Sequence, residues 1–258
     1  MVRKDIAGAL RLWRLAVSLG WLDIKLRYRG SVLGPLWITL SSAIMVASMG
    51  VIYGRLFHVV NREYLPFLSL SLTLWQVGIS GIMQEACTCF IDAERTIRSV
   101  RMPFFVQALR VIVRNVIIFG HNIVVPLGVF AIYHLLPGPE ALLSIPGFLL
   151  WMLDGIAACL LLGSICARFR DVPPIVASLL QIAFYVTPII WRPTQLGWRA
   201  KWLLLNPFYS LLEIVRGPLL GTVPELRVWG TAVGISVVFC VVAMMVFARV
   251  RSRLAFWV

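Results

Sequence analysis

The chain has 258 residues, of which 60% are apolar and 14% charged, against about 25% charged in an ordinary soluble domain. Too little polar surface remains to coat a globule in water, so lipid is the expected solvent. The net charge of +13 does not point to nucleic acid, because Lys and Arg fall between long apolar runs and not on one soluble face.

From the N-terminus, the first 29 residues read as a distinct amphipathic unit. Ile6, Leu10, Trp13, Val17, Trp21, Ile24 and Tyr28 recur every three or four positions, one face of a helix. Arg11, Arg14, Ser18, Lys25 and Arg29 follow a second stripe. Such a helix is expected to lie in the membrane surface, as an anchor or as a platform for a cytoplasmic partner. The segment has no uninterrupted apolar core, so no cleavable signal peptide is expected.

A membrane-crossing helix needs about 20 apolar residues. Six runs qualify, at 32–57, 65–83, 111–136, 142–166, 172–191 and 228–248. Seventeen Lys and Arg residues then fall on the side holding both termini and seven on the other, which predicts that both ends are cytoplasmic. The expected fold is all-α, integral to the membrane, in one domain.

Two connections stand out. The loop from Gln84 to Arg114 is read as about 30 residues long. Within it, Asp92 with Arg95 and Glu94 with Arg98 have helical i,i+3 and i,i+4 spacing, before Met102-Pro103 ends the segment. It reads as a solvated turn or a docking knob. Between the last two spans, Trp202 to Leu205 and Leu211 to Leu220 are too short to cross a bilayer, and Pro207 and Gly217-Pro218 interrupt them. Half-helices dipping in from the outer face fit this pattern, and irregular backbone at that depth suits a transport path.

Machinery for catalysis is missing from the sequence. The lysines Lys4, Lys25 and Lys201 do not follow a glycine, so no phosphate-cradling G-x-x-x-x-G-K-[ST] loop exists. His58, His121 and His134 are scattered. Cys87, Cys89, Cys159, Cys166 and Cys240 lie in or beside apolar runs and read as small membrane hydrophobes, with no metal site expected. The chain is not expected to be an enzyme.

Four strings are familiar together and in order. The stretch from Leu22 to Trp37, with Arg27-Tyr28-Arg29-Gly30-Ser31 and Leu33-Gly34-Pro35, resembles the entry to the first span of ABC-2-type polysaccharide export permeases. Arg168-Phe169-Arg170-Asp171-Val172, Tyr185-Val186-Thr187-Pro188-Ile189-Ile190-Trp191 and Asn206-Pro207-Phe208 resemble later motifs of the same family. The O-antigen (lipopolysaccharide) exporter membrane subunits, the Wzm-like group, are the nearest in pattern; capsule and teichoic acid permeases are close relatives.

The resemblance implies a homodimer of this chain in the bacterial inner membrane, with two copies of an ABC ATPase docked beneath it. ATP and Mg would sit on the ATPase, with no cofactor on this chain. The cargo would be a glycan on an undecaprenyl-type lipid. It also implies that residues 1–29 form an interface helix and 91–102 a coupling helix, with Asp92, Glu94, Arg95 and Arg98 at the ATPase. Residues 198–220, with Asn206, Pro207, Phe208 and Tyr209, would form the periplasmic gate.

Beside the resemblance, aromatic faces suit a sliding sugar polymer, because they bind weakly enough to release it. Tyr53, Phe57, Trp75, Tyr185 and Trp191 are the candidates, although such rings also collect at membrane interfaces without a ligand. Arg27 and Arg29 stand at headgroup depth, suited to a lipid pyrophosphate or to plain anchoring. Asp154 falls near the middle of the fourth span, where a charge calls for a partner, and His121 of the third span lies at nearly the same depth. The alternatives left open are a proton-coupled secondary transporter built on Asp154, an ABC permease for a drug or simple lipid, and a membrane scaffold.

Overall fold

A computed structural model describes residues 2–29, 34, 36–56, 61–100, 102–135 and 137–257. These residues are helical with short connections, and no strand occurs among them. Five helices are long and apolar enough to cross a membrane: Leu36–Leu56, Arg62–Thr88, Phe104–Ile132, Pro139–Arg168 and Leu226–Leu254. A sixth apolar helix, Val172–Val186, is shorter. Its 15 residues reach about 22 Å at 1.5 Å per residue, less than a hydrocarbon core of about 30 Å. The run at 172–191 is thus one helix only to Val186; Thr187 turns extended, as a residue before proline must. The chain from Thr187 to Ile190 continues as buried, irregular backbone.

The Arg62–Thr88 helix is the hub. Its most apolar window is 83% buried, against 11% for Leu36–Leu56. Ser69, Ser71 and Thr73 can therefore sit inside the protein, where Ser69 and Ser71 donate to carbonyls of their own helix. Midway, Leu74–Ser80 is wound as a π-helix. Its packing leaves no room for side chains at two glycines: a Cβ on Gly78 would lie 2.4 Å from the Trp151 ring, and one on Gly81 would lie 2.7 Å from the Gln76 carbonyl oxygen. Trp151 is held in that notch by its own indole N–H, which donates to the Leu211 carbonyl at 2.9 Å.

The N-terminal unit is two helices, Val2–Arg11 and Trp13–Arg27. The face it turns inward is not the large apolar stripe. Ala9, Ala16, Gly20 and Ile24 are buried, whereas Leu10, Trp13, Val17 and Trp21 are exposed. Small residues allow the close approach: a Cβ on Gly20 would lie 3.0 Å from the Arg110 carbonyl oxygen. The big rings are left for another surface, as a helix lying on lipid requires.

The expected 30-residue loop is mostly helix. The hub helix runs on to Thr88 and the next long helix already starts at Phe104, so only about 15 residues connect them. Both termini reach this same end of the bundle, where Arg251 near the C-terminus pairs with Asp5 at 2.9 Å.

Candidate functional site

Polar side chains gather at the two ends of the hub helix. At the C-terminal end, Glu85 is shared by three partners. Arg114 reaches its Oε2 at 2.8 Å, Asn115 Nδ2 donates to the same oxygen at 2.6 Å, and Arg27 lies 3.0 Å from Oε1. Asp23 is shared as well. Arg110 Nε donates to its Oδ2 at 2.6 Å, a second guanidinium N–H of Arg110 reaches Oδ1, and Arg114 approaches at 3.2 Å. One network therefore ties the Trp13–Arg27 helix to the hub and to the Phe104–Ile132 helix. Asp5 adds a rivet, accepting from the Phe105 backbone N–H at 3.3 Å at that helix's start while holding Arg251.

The physical reason is compensation. A buried guanidinium is strongly unfavourable unless carboxylates and hydrogen bonds surround it. Arg114 is buried and touches both acids, so it can lie inside a helix where the sequence pattern places a loop cation. With three arginines and two acids, the cluster keeps a surplus positive charge at Arg27, its most exposed member. Next to it, burial pushes the Tyr28 phenol above its usual range; Arg27 opposes this and Glu85 adds to it. Arg29 is exposed.

Close by, the expected helix over 91–102 is shorter, at Glu94–Ser99. Glu94 and Arg98 pair at 3.0 Å, while Asp92 and Arg95 are exposed on the preceding turn and the helix, without an ion pair among the described residues. Arg101 lies outside the described residues.

At the opposite end, Arg216 is 1% exposed on the Pro207–Leu219 helix. It donates to Glu213, to Ser71 Oγ at 3.0 Å and to the Pro188 carbonyl, and its guanidinium lies 4.6 Å from the centroid of Phe67. Nearby, Arg192 donates to Glu63, and the Tyr64 hydroxyl donates to the Ile190 carbonyl at 2.8 Å. The irregular backbone after Val186 is thus satisfied by Tyr64 of the hub and by Arg216 of the Pro207–Leu219 helix.

The expected gate divides at Asn206 into a 3₁₀ segment, Pro193–Leu205, and the α-helix Pro207–Leu219. Asn206 caps the helix by accepting from the Phe208 N–H at 3.0 Å, and its amide donates to Thr187 Oγ1 at 3.0 Å. Proline at the first helical position suits this start. Two strings of the sequence, around Thr187 and around Asn206, therefore meet in space. Tyr209 is half-buried one position after Phe208.

The aromatic candidates do not form one set. Trp75 is 3% exposed and packs edge-on against Phe208 at 5.4 Å and against Phe184 at 6.2 Å, so within one chain it is core. Tyr185 is 63% exposed, and Trp191 donates to its carbonyl at 3.2 Å. Tyr53 is half-buried on another helix, Leu36–Leu56, and Phe57 lies outside the described residues.

The expected pairing of Asp154 with His121 is not what forms. Asp154 Oδ2 accepts from Ser236 Oγ at 2.7 Å, with Cys240 Sγ 4.0 Å from its other oxygen, so it joins the fourth long helix to the last. His121 meets the Ile117 carbonyl of its own helix at 2.8 Å. Matching depth placed both residues at one level, but the two side chains leave their helices in different directions. Cys87, Cys89, Cys159 and Cys166 are buried and unbridged.

Sequence reasoning passed over Asp23, Glu85, Arg110, Arg114 and Arg216 as site residues. One signal was present: Gln107, Arg110, Arg114 and Asn115 recur at helical spacing, an unusual polar stripe for the edge of a span.

The sequence pattern of the family described as ABC-2 type transporter matches residues 14–220, spanning both polar clusters. The chain belongs to that family. It is a multi-pass membrane protein and a transport subunit. Similar proteins include an O-antigen export system permease protein RfbA of Myxococcus xanthus, 29% identical over 205 residues and 77% of each chain. Two proteins of the same description from Klebsiella pneumoniae are 25% identical over 78% of each chain and 23% identical over 95% of each chain.

Proposed function

We propose that this chain is the membrane permease of an ATP-driven exporter that moves a lipid-linked polysaccharide, of O-antigen or capsule type, across the bacterial inner membrane. The observation that carries the reading is its similarity, over most of its length, to three permeases named for O-antigen export. Two copies would pair around the path and two ATPase subunits would dock at the end that holds both termini, holding ATP and Mg.

Several features of the single chain are in keeping with this reading. Asp5–Arg251 holds both termini at one end, in keeping with six crossings and cytoplasmic ends. The sixth crossing would be completed by Val172–Val186 and the buried backbone after it. Glu94–Ser99, with Asp92 and Arg95 exposed beside it, would meet the ATPase. Its push would pass to the N-terminal helices and, through Asp23 and Glu85, into the hub. Tyr185 and Trp191 are the aromatics best placed to touch cargo from an open face, while Arg29 and the surplus charge at Arg27 suit a lipid pyrophosphate. Asn206, with Phe208 on Trp75, would be the gate's hinge.

The test is purification of the tagged chain in mild detergent from its own cells. A near-stoichiometric P-loop ATPase with vanadate-sensitive activity is expected, and cells lacking the chain should accumulate lipid-linked glycan on the cytoplasmic side. A well-folded chain that cross-links to no ATPase in intact membranes would overturn the reading.

A further inference from the structure

The 3₁₀ segment Pro193–Leu205 has two unlike faces. Leu203 is buried and Leu204 packs on the main apolar core. The other face shows Trp198, Trp202 and Leu205 at 71%, 59% and 75% exposure. Gly197, with φ of 55°, makes the turn that brings Trp198 to the front of the second limb. Two cations stand among the rings. Arg199 lies 5.4 Å from the centroid of Trp198, and Lys201 lies 5.4 Å from Trp198 and 5.9 Å from Trp202. Residues 193–206 contain no Asp or Glu, and among the described residues neither cation forms an ion pair.

We propose that this face is a binding surface for anionic phospholipid headgroups. Exposed tryptophans with a leucine beside them match the boundary between headgroups and acyl chains, where indole rings are favoured. The unpaired guanidinium and ammonium supply what a lipid phosphate needs: charge, and donors that no carboxylate occupies. A neutral sugar would leave both cations without an anion, whereas a lipid phosphate supplies one beside the rings. The lipid, not the glycan, is the occupant that the charges and rings fit together. On the proposed topology the lipid belongs to the outer leaflet. The segment leads directly into Asn206, so the grip on lipid sets where the Asn206–Thr187 contact sits relative to the membrane surface.

The experiment uses the detergent-purified chain alone, titrated with phosphatidylglycerol or phosphatidylcholine brominated near the headgroup, with tryptophan quenching as the readout. Phosphatidylglycerol should quench a component of the emission that is absent in the W198F/W202F variant. R199Q/K201Q should raise its half-saturation roughly tenfold or more, and R199K/K201R should restore it. Equal quenching by both lipids, or an unchanged titration in R199Q/K201Q, would overturn the assignment. So would a soluble oligosaccharide that shifts the emission of the same two tryptophans, which would give the face to cargo. The measurement needs neither an ATPase nor export, so its failure and failure of the permease reading are separable.

Discussion

Glu85, at the C-terminal end of the hub helix, divides its carboxylate among Arg27, Arg114 and Asn115, which come from two other helices. Arg216, at the far end, gathers its partners from close by: Glu213 one turn away on its own helix, Ser71 of the hub and a backbone carbonyl at Pro188. The first cluster is made of long side chains on separate elements, and its rim is open to solvent at Arg27. It can shift geometry while keeping its charges paired. The second is sealed and partly bonded to backbone, which cannot swing. The contrast suggests a joint at one end and a clamp at the other.

The sharpest way to break that contrast is Arg216→Leu. Losing a buried, fully bonded charge should cost about 3–5 kcal/mol, read as a large fall in Tm of the detergent-purified chain. Arg216→Lys should recover only part, because one ammonium cannot reach Glu213, Ser71 and Pro188 as a fork does. Wild-type stability in Arg216→Leu would mean there is no clamp.

Glu85→Gln should cost somewhat less, about 2–3 kcal/mol, because the rim of this cluster is hydrated. In the assembled transporter it should also lower coupled ATPase turnover by more than the stability loss explains. A cycle joining Asp23→Asn and Arg110→Gln should be non-additive in stability; additive effects would dissolve the joint into independent contacts.

Asp154→Asn is a smaller change, about 1 kcal/mol, since an amide oxygen still accepts from Ser236. Its effect should be non-additive with Ser236→Ala and additive with His121→Asn. The smallest stability effect belongs to Glu94→Gln with Arg98→Gln, within about 0.5 kcal/mol for an exposed i,i+4 pair. Its consequence should appear as weaker binding of the ATPase; unchanged binding would remove Glu94 and Arg98 from the docking surface.

Much of the fold was legible because apolar runs report helices directly. Five of the expected runs coincide with helices long and apolar enough to cross a membrane, and Pro188 marks where the 172–191 run loses helical winding. The Glu94–Arg98 pair was also readable, since it is a contact between near neighbours in sequence. The joint was not. Asp23 and Arg110 are 87 positions apart, and a rule that assigns cations to loops takes Arg110 and Arg114 out of the helix that holds them. Only the partner acids explain why those arginines can be buried. Asp154 shows a related gap: residue counting fixes how deep a side chain lies, but not the direction in which it leaves the helix.

The π-wound stretch Leu74–Ser80 sets the phase between the two clusters. Ser71 and Glu85 are 14 positions apart, and an unbroken helix of 3.6 residues per turn would leave them only about 40° out of line. Seven residues with i→i+5 bonds lag behind that winding by roughly a third of a turn, which carries Glu85 to nearly the opposite azimuth from Ser71. The hub can then answer Arg216 on one flank and Arg114 on the other. Removing a single residue from Leu74–Ser80 would leave a longer, more regular helix and a mistimed one, with one end rotated away from the charges it serves.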